Sequence, residues 1–181
     1  MKLNNIPNKL YNIDDKHFYH SRSVAVVCHV WVLLDGEPFI LVGKRGKSGD
    51  EPYKLNIPCG YIDWNENLKE AMFREVYEET GLDLTVYHGS IQYAKYEQPW
   101  YVYSSIDENR QNISLHCGIV IDLINNELPH IDLDNIIDNE ADAVYWWHYK
   151  TILTTKQDEW AFNHLEKIKM FYHEIKHLLN K

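Results

Sequence analysis

Two apolar runs joined by Asp35-Gly36 restrict the fold of this chain more than any other feature. Val24 to Leu34 and Phe39 to Val42 are apolar at nearly every position rather than at every second one. A strand with one face in water alternates, because successive side chains point to opposite sides, so an unbroken apolar run needs cover on both faces. Asp-Gly between the runs is a hairpin signal, since a tight two-residue turn requires positive φ at its centre. The sequence therefore predicts antiparallel strands over Arg22 to Leu34 and Pro38 to Lys44, in a sheet with a layer packed on each side.

One cover is a helix from Leu68 to Thr80. Asn67 with Glu70 three residues later makes a capping box, and Gly81 suits the left-handed residue that ends a helix. At about 100° per residue, Leu68, Met72 and Val76 form a narrow apolar stripe, and Glu75 and Glu79 project within a few tens of degrees of it. Acid thus stands where core is expected. The last two turns hold Glu75, Glu78 and Glu79 with only Arg74 against them, at a helix end that favours cations, and each such carboxylate costs roughly 0.3–1 kcal/mol. A solvated acidic face is the ordinary explanation of such a run; a site for a hard cation, which takes oxygen ligands, is the other.

The opposite cover is a helix from Thr155 to Leu179, where Trp160, Phe162, Leu165, Ile168, Phe171, Tyr172, Ile175, Leu178 and Leu179 largely keep the helical period. Shorter strands are expected at Leu55 to Ile57 and Tyr61-Ile62, within Leu82 to Tyr96 around a turn at His88-Gly89, at Ile113 to Leu123 and at Ala143 to Tyr149. Residues 1–20, rich in Asn, Lys, Tyr and His, read as an extended arm packing on a second subunit. The segment from Arg45 to Tyr53 is a polar, Gly- and Pro-punctuated loop.

What decides between the two explanations of the acidic helix is the longer pattern. Gly60 is followed at fixed spacing by Glu66, Arg74-Glu75, Val76, Glu78-Glu79, Gly81 and Leu82. This stretch, Gly60 to Leu82, resembles the signature of the Nudix hydrolases. The resemblance implies one α/β domain, an α/β/α sandwich with a central mixed β-sheet. It also implies a loop-helix-loop that holds Mg2+ or Mn2+ and cleaves a nucleoside diphosphate linked to another moiety, such as ADP-ribose or a related nucleotide sugar or dinucleotide. Carried over by position, Glu75, Glu78 and Glu79 are metal ligands together with the backbone carbonyl of Cys59, and Glu75 also serves as a general base in some members. Arg74 and Glu66 orient this carboxylate set. Many members have Gly-Gly where this chain has Cys59-Gly60, so a positive φ at Cys59 would be strained. Glu140, before a strand bearing Trp146, resembles a downstream acid that completes such sites, with Glu97 and Glu108 as rivals.

Other residues suggest substrate contacts. Lys44, Arg45 and Lys47 cluster where a strand meets the polar loop and could neutralise a phosphate, or form a solvated basic turn. Trp100 and Tyr101, in the aromatic segment Tyr93 to Tyr103, could stack on a base or simply pack the sheet. The formal charge of -9, from 18 basic and 27 acidic residues, argues against a nucleic-acid binder. Cys28, Cys59 and Cys117 lack metal spacing, and no 18-residue apolar span exists, so a cytoplasmic protein with reduced thiols and no membrane contact is expected. A nucleotide-binding module that does not turn its ligand over is the alternative function, and an isomerase on the same fold is disfavoured because no catalytic Cys is apparent.

Overall fold

A computed structural model of the chain describes residues 9–14, 16–20, 24–47, 50–106, 111–124, 127–132 and 141–179. The first element is a separate hairpin of β1 (Lys9–Ile13) and β2 (Lys16–His20), so the described part of the expected arm is folded back on itself. The predicted central hairpin follows as β3 (Val24–Leu34) and β4 (Glu37–Arg45), turning through Asp35 and Gly36 at φ 49° and 82°. β5 (Leu55–Asn56) pairs with β4, and β6 (Cys59–Tyr61) pairs with β3. After α1 (Leu68–Thr80) come β7 (Ile91–Lys95), β8 (Tyr101–Ile106), β9 (Gln111–Leu123) and β10 (Ala141–His148). The chain closes with α2 (Tyr149–Ile152) and α3 (His164–Ile175).

The main path of the sheet runs β10-β4-β3-β9-β7, with β8 also on β9. β3 and β9 are parallel and the other pairs antiparallel, which makes the sheet mixed, as expected. β3 shows why both of its faces are apolar. Val26, Cys28, Val30 and Val32 pack with Ala71, Met72 and Val76 of α1, whereas Val27, Trp31 and Leu33 pack with Ile168, Phe171 and Ile175 of α3. Each such side chain contributes about 1.5–3 kcal/mol when fully buried. On the α3 side the Phe171 ring lies directly on Gly118, in the space a Cβ would fill, so this glycine sets how closely α3 approaches the sheet.

Two expected elements differ. Leu84–Ser90 is a 3-10 helix instead of a strand, because the Asp83 side chain accepts from the Thr85 backbone N–H at 2.8 Å and caps that turn. The last helix begins at His164 rather than Thr155. Trp160 bridges to Leu55, Ala161 donates its N–H to the Leu55 carbonyl at 2.8 Å, and Phe162 and Asn163 take positive φ. These tertiary bonds hold the intervening chain against the sheet edge and override its helical period. Among the described residues no helix is long and apolar enough to cross a membrane.

Candidate active site

The local sequence builds α1 as its ends predict. Asn67 Oδ1 accepts from the Glu70 N–H at 3.1 Å, Glu70 Oε2 accepts from the Asn67 N–H at 2.8 Å, and Gly81 closes the helix at φ 69°. Its inner face then carries acids into the core boundary: Glu75 and Glu79 are only 8% and 7% exposed. Arg74 is the hub of the cluster. Its Nε and one terminal nitrogen bond both oxygens of Glu66 at 3.0 and 2.7 Å, and the other terminal nitrogen bonds Glu75 at 2.7 Å and Glu78 at 2.8 Å. A further bond from Arg74 to the Tyr61 carbonyl, at 2.9 Å, ties the cluster to β6.

Burial works against the Arg74 charge, but its hydrogen bonds to Glu66 and the charge of Glu75 more than restore it, and its pKa is raised. For Glu75 desolvation dominates over the nearby guanidinium, and its pKa rises to about 7. Three carboxylates, those of Glu66, Glu75 and Glu78, therefore share one guanidinium in a largely buried site. Glu79 turns the other way, its Oε1 accepting from the Cys59 N–H at 3.2 Å.

Gly60 explains the geometry of this edge. It lies in β6 opposite Val26, and a Cβ there would fall inside the Glu75 carboxylate, so only glycine lets that side chain reach the strand backbone. Cys59 lies in the same strand and is not among the residues with positive φ, so the strain expected from replacing a glycine does not arise. Among the described residues no three His, Cys, Asp or Glu side chains are gathered closely enough to hold a metal ion. The reason is visible: Arg74 sits between Glu75 and Glu78, and Glu79 is bonded to backbone. The donor chemistry nevertheless fits a hard cation, since the side-chain atoms offered are all carboxylate oxygens and their charge exceeds what one Arg74 neutralises.

The remaining candidates fall into three groups. Arg45 lies close enough for its charge to act on Cys59, is 5.0 Å from the Phe162 ring centre, and donates Nε–H to the Asp50 carbonyl at 2.8 Å. Lys44 is its half-buried neighbour on β4. Trp100 and Tyr101 stand together at the start of β8, on the α3 side. Trp100 packs against His29, His116 and Phe171 with ring centres 5.2, 5.8 and 5.2 Å away, which makes it part of the core. Glu140 and Glu108 lie outside the described residues, and Glu97 is exposed.

Residues outside the expected site line the α3 side next to Cys59. His116 and His164 are buried, and desolvation lowers their pKa values to about 4 and about 3. His164 Nδ1 accepts from the Ile57 N–H at 3.2 Å, and His116 Nδ1 faces His29 Nε2 at 3.2 Å. Lys167 joins them from α3. No local motif marks these residues, because their proximity comes from strand pairing.

A family model describing the NUDIX domain matches residues 22–168. The chain belongs to the Nudix hydrolase family. No curated protein matches this Nudix chain significantly. Among solved structures, it is similar to the NUDIX domain of Shewanella oneidensis NrtR complexed with ADP ribose, at 17% identity over 84% of this chain and 87% of that one, with TM-score 0.59. The MutT protein from Methanosarcina mazei Go1 is 19% identical over 84% and 94%, with TM-score 0.56. A bifunctional NMN adenylyltransferase/ADP ribose pyrophosphatase from Francisella tularensis, complexed with AMP and manganese, is 20% identical over 83% of this chain and 41% of that one, with TM-score 0.57. At these identities the likeness is one of fold.

Proposed function

We propose that this Nudix protein is a Mg2+- or Mn2+-dependent pyrophosphohydrolase acting on a nucleoside diphosphate linked to another moiety. The observation that carries this reading is the set of Glu66, Glu75 and Glu78 on one Arg74, with Glu79 beside them on α1, against the notch at Gly60. Such a charge concentration is costly in a structural role and suits a divalent cation. Glu75, Glu78 and Glu79 would hold the metal with the Cys59 carbonyl. The bound metal supplies a polarised water and neutralises charge on the diphosphate.

The chain's own residues do the rest. Arg74 and Glu66 fix the carboxylates in place, and Glu75, whose burial brings its pKa near neutrality, can take a proton from the attacking water. Arg45 offers a guanidinium to a phosphate oxygen. The ADP ribose and AMP in two fold neighbours support a nucleotide as substrate, and free thiols at Cys28, Cys59 and Cys117 suit the cytoplasm.

Binding without turnover is the competing reading, and the intact carboxylate set weighs against it. Incubation with magnesium and a panel of ADP-ribose, NADH, dinucleoside polyphosphates, nucleoside diphosphate sugars and oxidised nucleoside triphosphates should show hydrolysis that chelation abolishes. Glu78→Gln should lower turnover at least about tenfold, the scale of a single electrostatic contact. Turnover that survives exhaustive chelation, or near wild-type activity in Glu78→Gln, overturns the assignment.

A further inference from the structure

The turn that leads into α3 holds a residue that does not suit it. The Ala161 carbonyl accepts from the His164 N–H at 2.9 Å, and the two residues between them, Phe162 and Asn163, take φ of 52° and 59°. Positive φ at both central residues is the type I′ arrangement, in which Gly, Asn and Asp predominate. Asn163 fits. Phe162 does not, and a bulky residue persists there only where its surroundings over-determine it. Burial of the ring is a poor reason for it, since Phe162 is 41% exposed. What fixes Phe162 is a bond across the chain: its N–H donates to Glu51 Oε2 at 3.0 Å, and Glu51 itself has φ 52°. The ring is thereby set 5.5 Å from the His164 ring and 5.0 Å from the Arg45 guanidinium carbon.

Arg45 and Arg74 are the arginines among the described residues, and their surroundings are opposite. Arg74 bonds three carboxylates. Arg45, in a chain with 27 acidic and 18 basic residues, pairs with no carboxylate among the described residues. Its Nε–H goes to the Asp50 carbonyl at 2.8 Å, the Phe162 ring covers one face of the guanidinium, and both terminal nitrogens have no hydrogen-bond partner among the described residues. A guanidinium held by one edge and one face keeps its outer donors in the fork geometry that takes a phosphate through two bonds. The charge of Arg45 reaches Cys59, whose N–H Glu79 accepts and whose carbonyl is assigned above to the metal.

We propose that Phe162 is a positioning residue, whose ring holds the Arg45 guanidinium so that its terminal nitrogens take a phosphate of the substrate; this rests on the hydrolase reading above, which gives Arg45 that phosphate. The unfavourable backbone at Phe162 is then kept for the sake of binding. An asparagine in its place would relax the turn, keep the N–H that Glu51 accepts, and leave the guanidinium without its aromatic support. Stability and affinity should therefore respond to that substitution in opposite directions, which a residue that only packs would not allow.

The test is calorimetric titration of inorganic pyrophosphate, which carries the diphosphate and no base, into the full chain in magnesium. Phe162→Asn should weaken binding about three- to fivefold, the scale of one cation–π contact, while the melting temperature holds or rises. Phe162→Tyr, which keeps the ring, should bind as wild type does. Arg45→Gln should weaken binding about tenfold, the scale of one hydrogen bond to a charged group, and Phe162→Asn added to it should change little more, because the ring acts through the guanidinium. Absence of pyrophosphate binding in wild type, wild-type affinity in Phe162→Asn, a joint fall of its affinity and melting temperature, or an equal loss from Phe162→Asn in the Arg45→Gln background overturns the proposal. Turnover of the nucleotide panel is followed separately. Affinity that depends on Phe162 without turnover removes the hydrolase reading and leaves Arg45 as an anion site, and turnover without that dependence does the reverse.

Discussion

Glu79→Gln should make the metal-free protein more stable than wild type. Glu79 is 7% exposed at the C-terminal end of α1, where no basic residue offsets the helix dipole, and Glu75 and Glu78 lie four and one residues before it. Arg74 serves Glu66, Glu75 and Glu78. The amide keeps an oxygen that can accept the Cys59 N–H while losing the carboxylate charge. Relief of the unfavourable dipole interaction is about 0.3–1 kcal/mol. At roughly 2–4 °C per kcal/mol for a chain of this size, melting should rise by about 1–4 °C in chelator.

Magnesium should reverse the order. A ligand that binds only the folded state adds RT ln(1 + [L]/Kd), about 2.7 kcal/mol at a hundredfold excess over Kd, and a site short of one carboxylate gains less. Thermal melts of both proteins, in chelator and in millimolar magnesium, supply the four values needed. If the substitution destabilises the metal-free protein and the two magnesium increments are equal, Glu79 is an ordinary structural carboxylate and the account of α1 fails.

Gly60→Ala should place a methyl group inside the Glu75 carboxylate. The expected cost is about 1–3 kcal/mol of overpacking, together with loss of most turnover, and a stable, fully active variant would show that Glu75 does not need its notch. His164 provides a pH prediction. Its folded pKa of about 3 lies below the unfolded value, so its contribution is intact above about pH 6.5 and is lost as pH falls toward 3. Between pH 6.5 and 5 this amounts to roughly 1.5 kcal/mol. Glu75, raised to about 7, acts in the opposite sense across that range, so the comparison must be between wild type and His164→Gln, in which the Glu75 effect cancels. Denaturant unfolding at both pH values should show a shallower loss in the variant; parallel losses would refute the assignment.

Several features of this protein were legible in the chain because their causes are local. Asp35-Gly36 turns because its backbone must take positive φ, and α1 starts and stops where Asn67, Glu70 and Gly81 cap it. The double-sided apolar strand β3 announced two covering layers, and the spacing from Gly60 to Leu82 announced the family. Tertiary structure decided what depends on distant partners. The Trp160–Leu55 bridge delayed the last helix to His164, although the sequence around it keeps a helical period. Trp100 became part of the core because Phe171, held close to the sheet by Gly118, packs beside it. Strand pairing brought His116, Tyr101 and, from α3, Lys167 into one row with Cys59, and no spacing along the chain records that row. Helix caps, turns and the box act over a few residues, so composition and spacing reveal them; burial and charge at the end of the row are set by elements tens of residues apart.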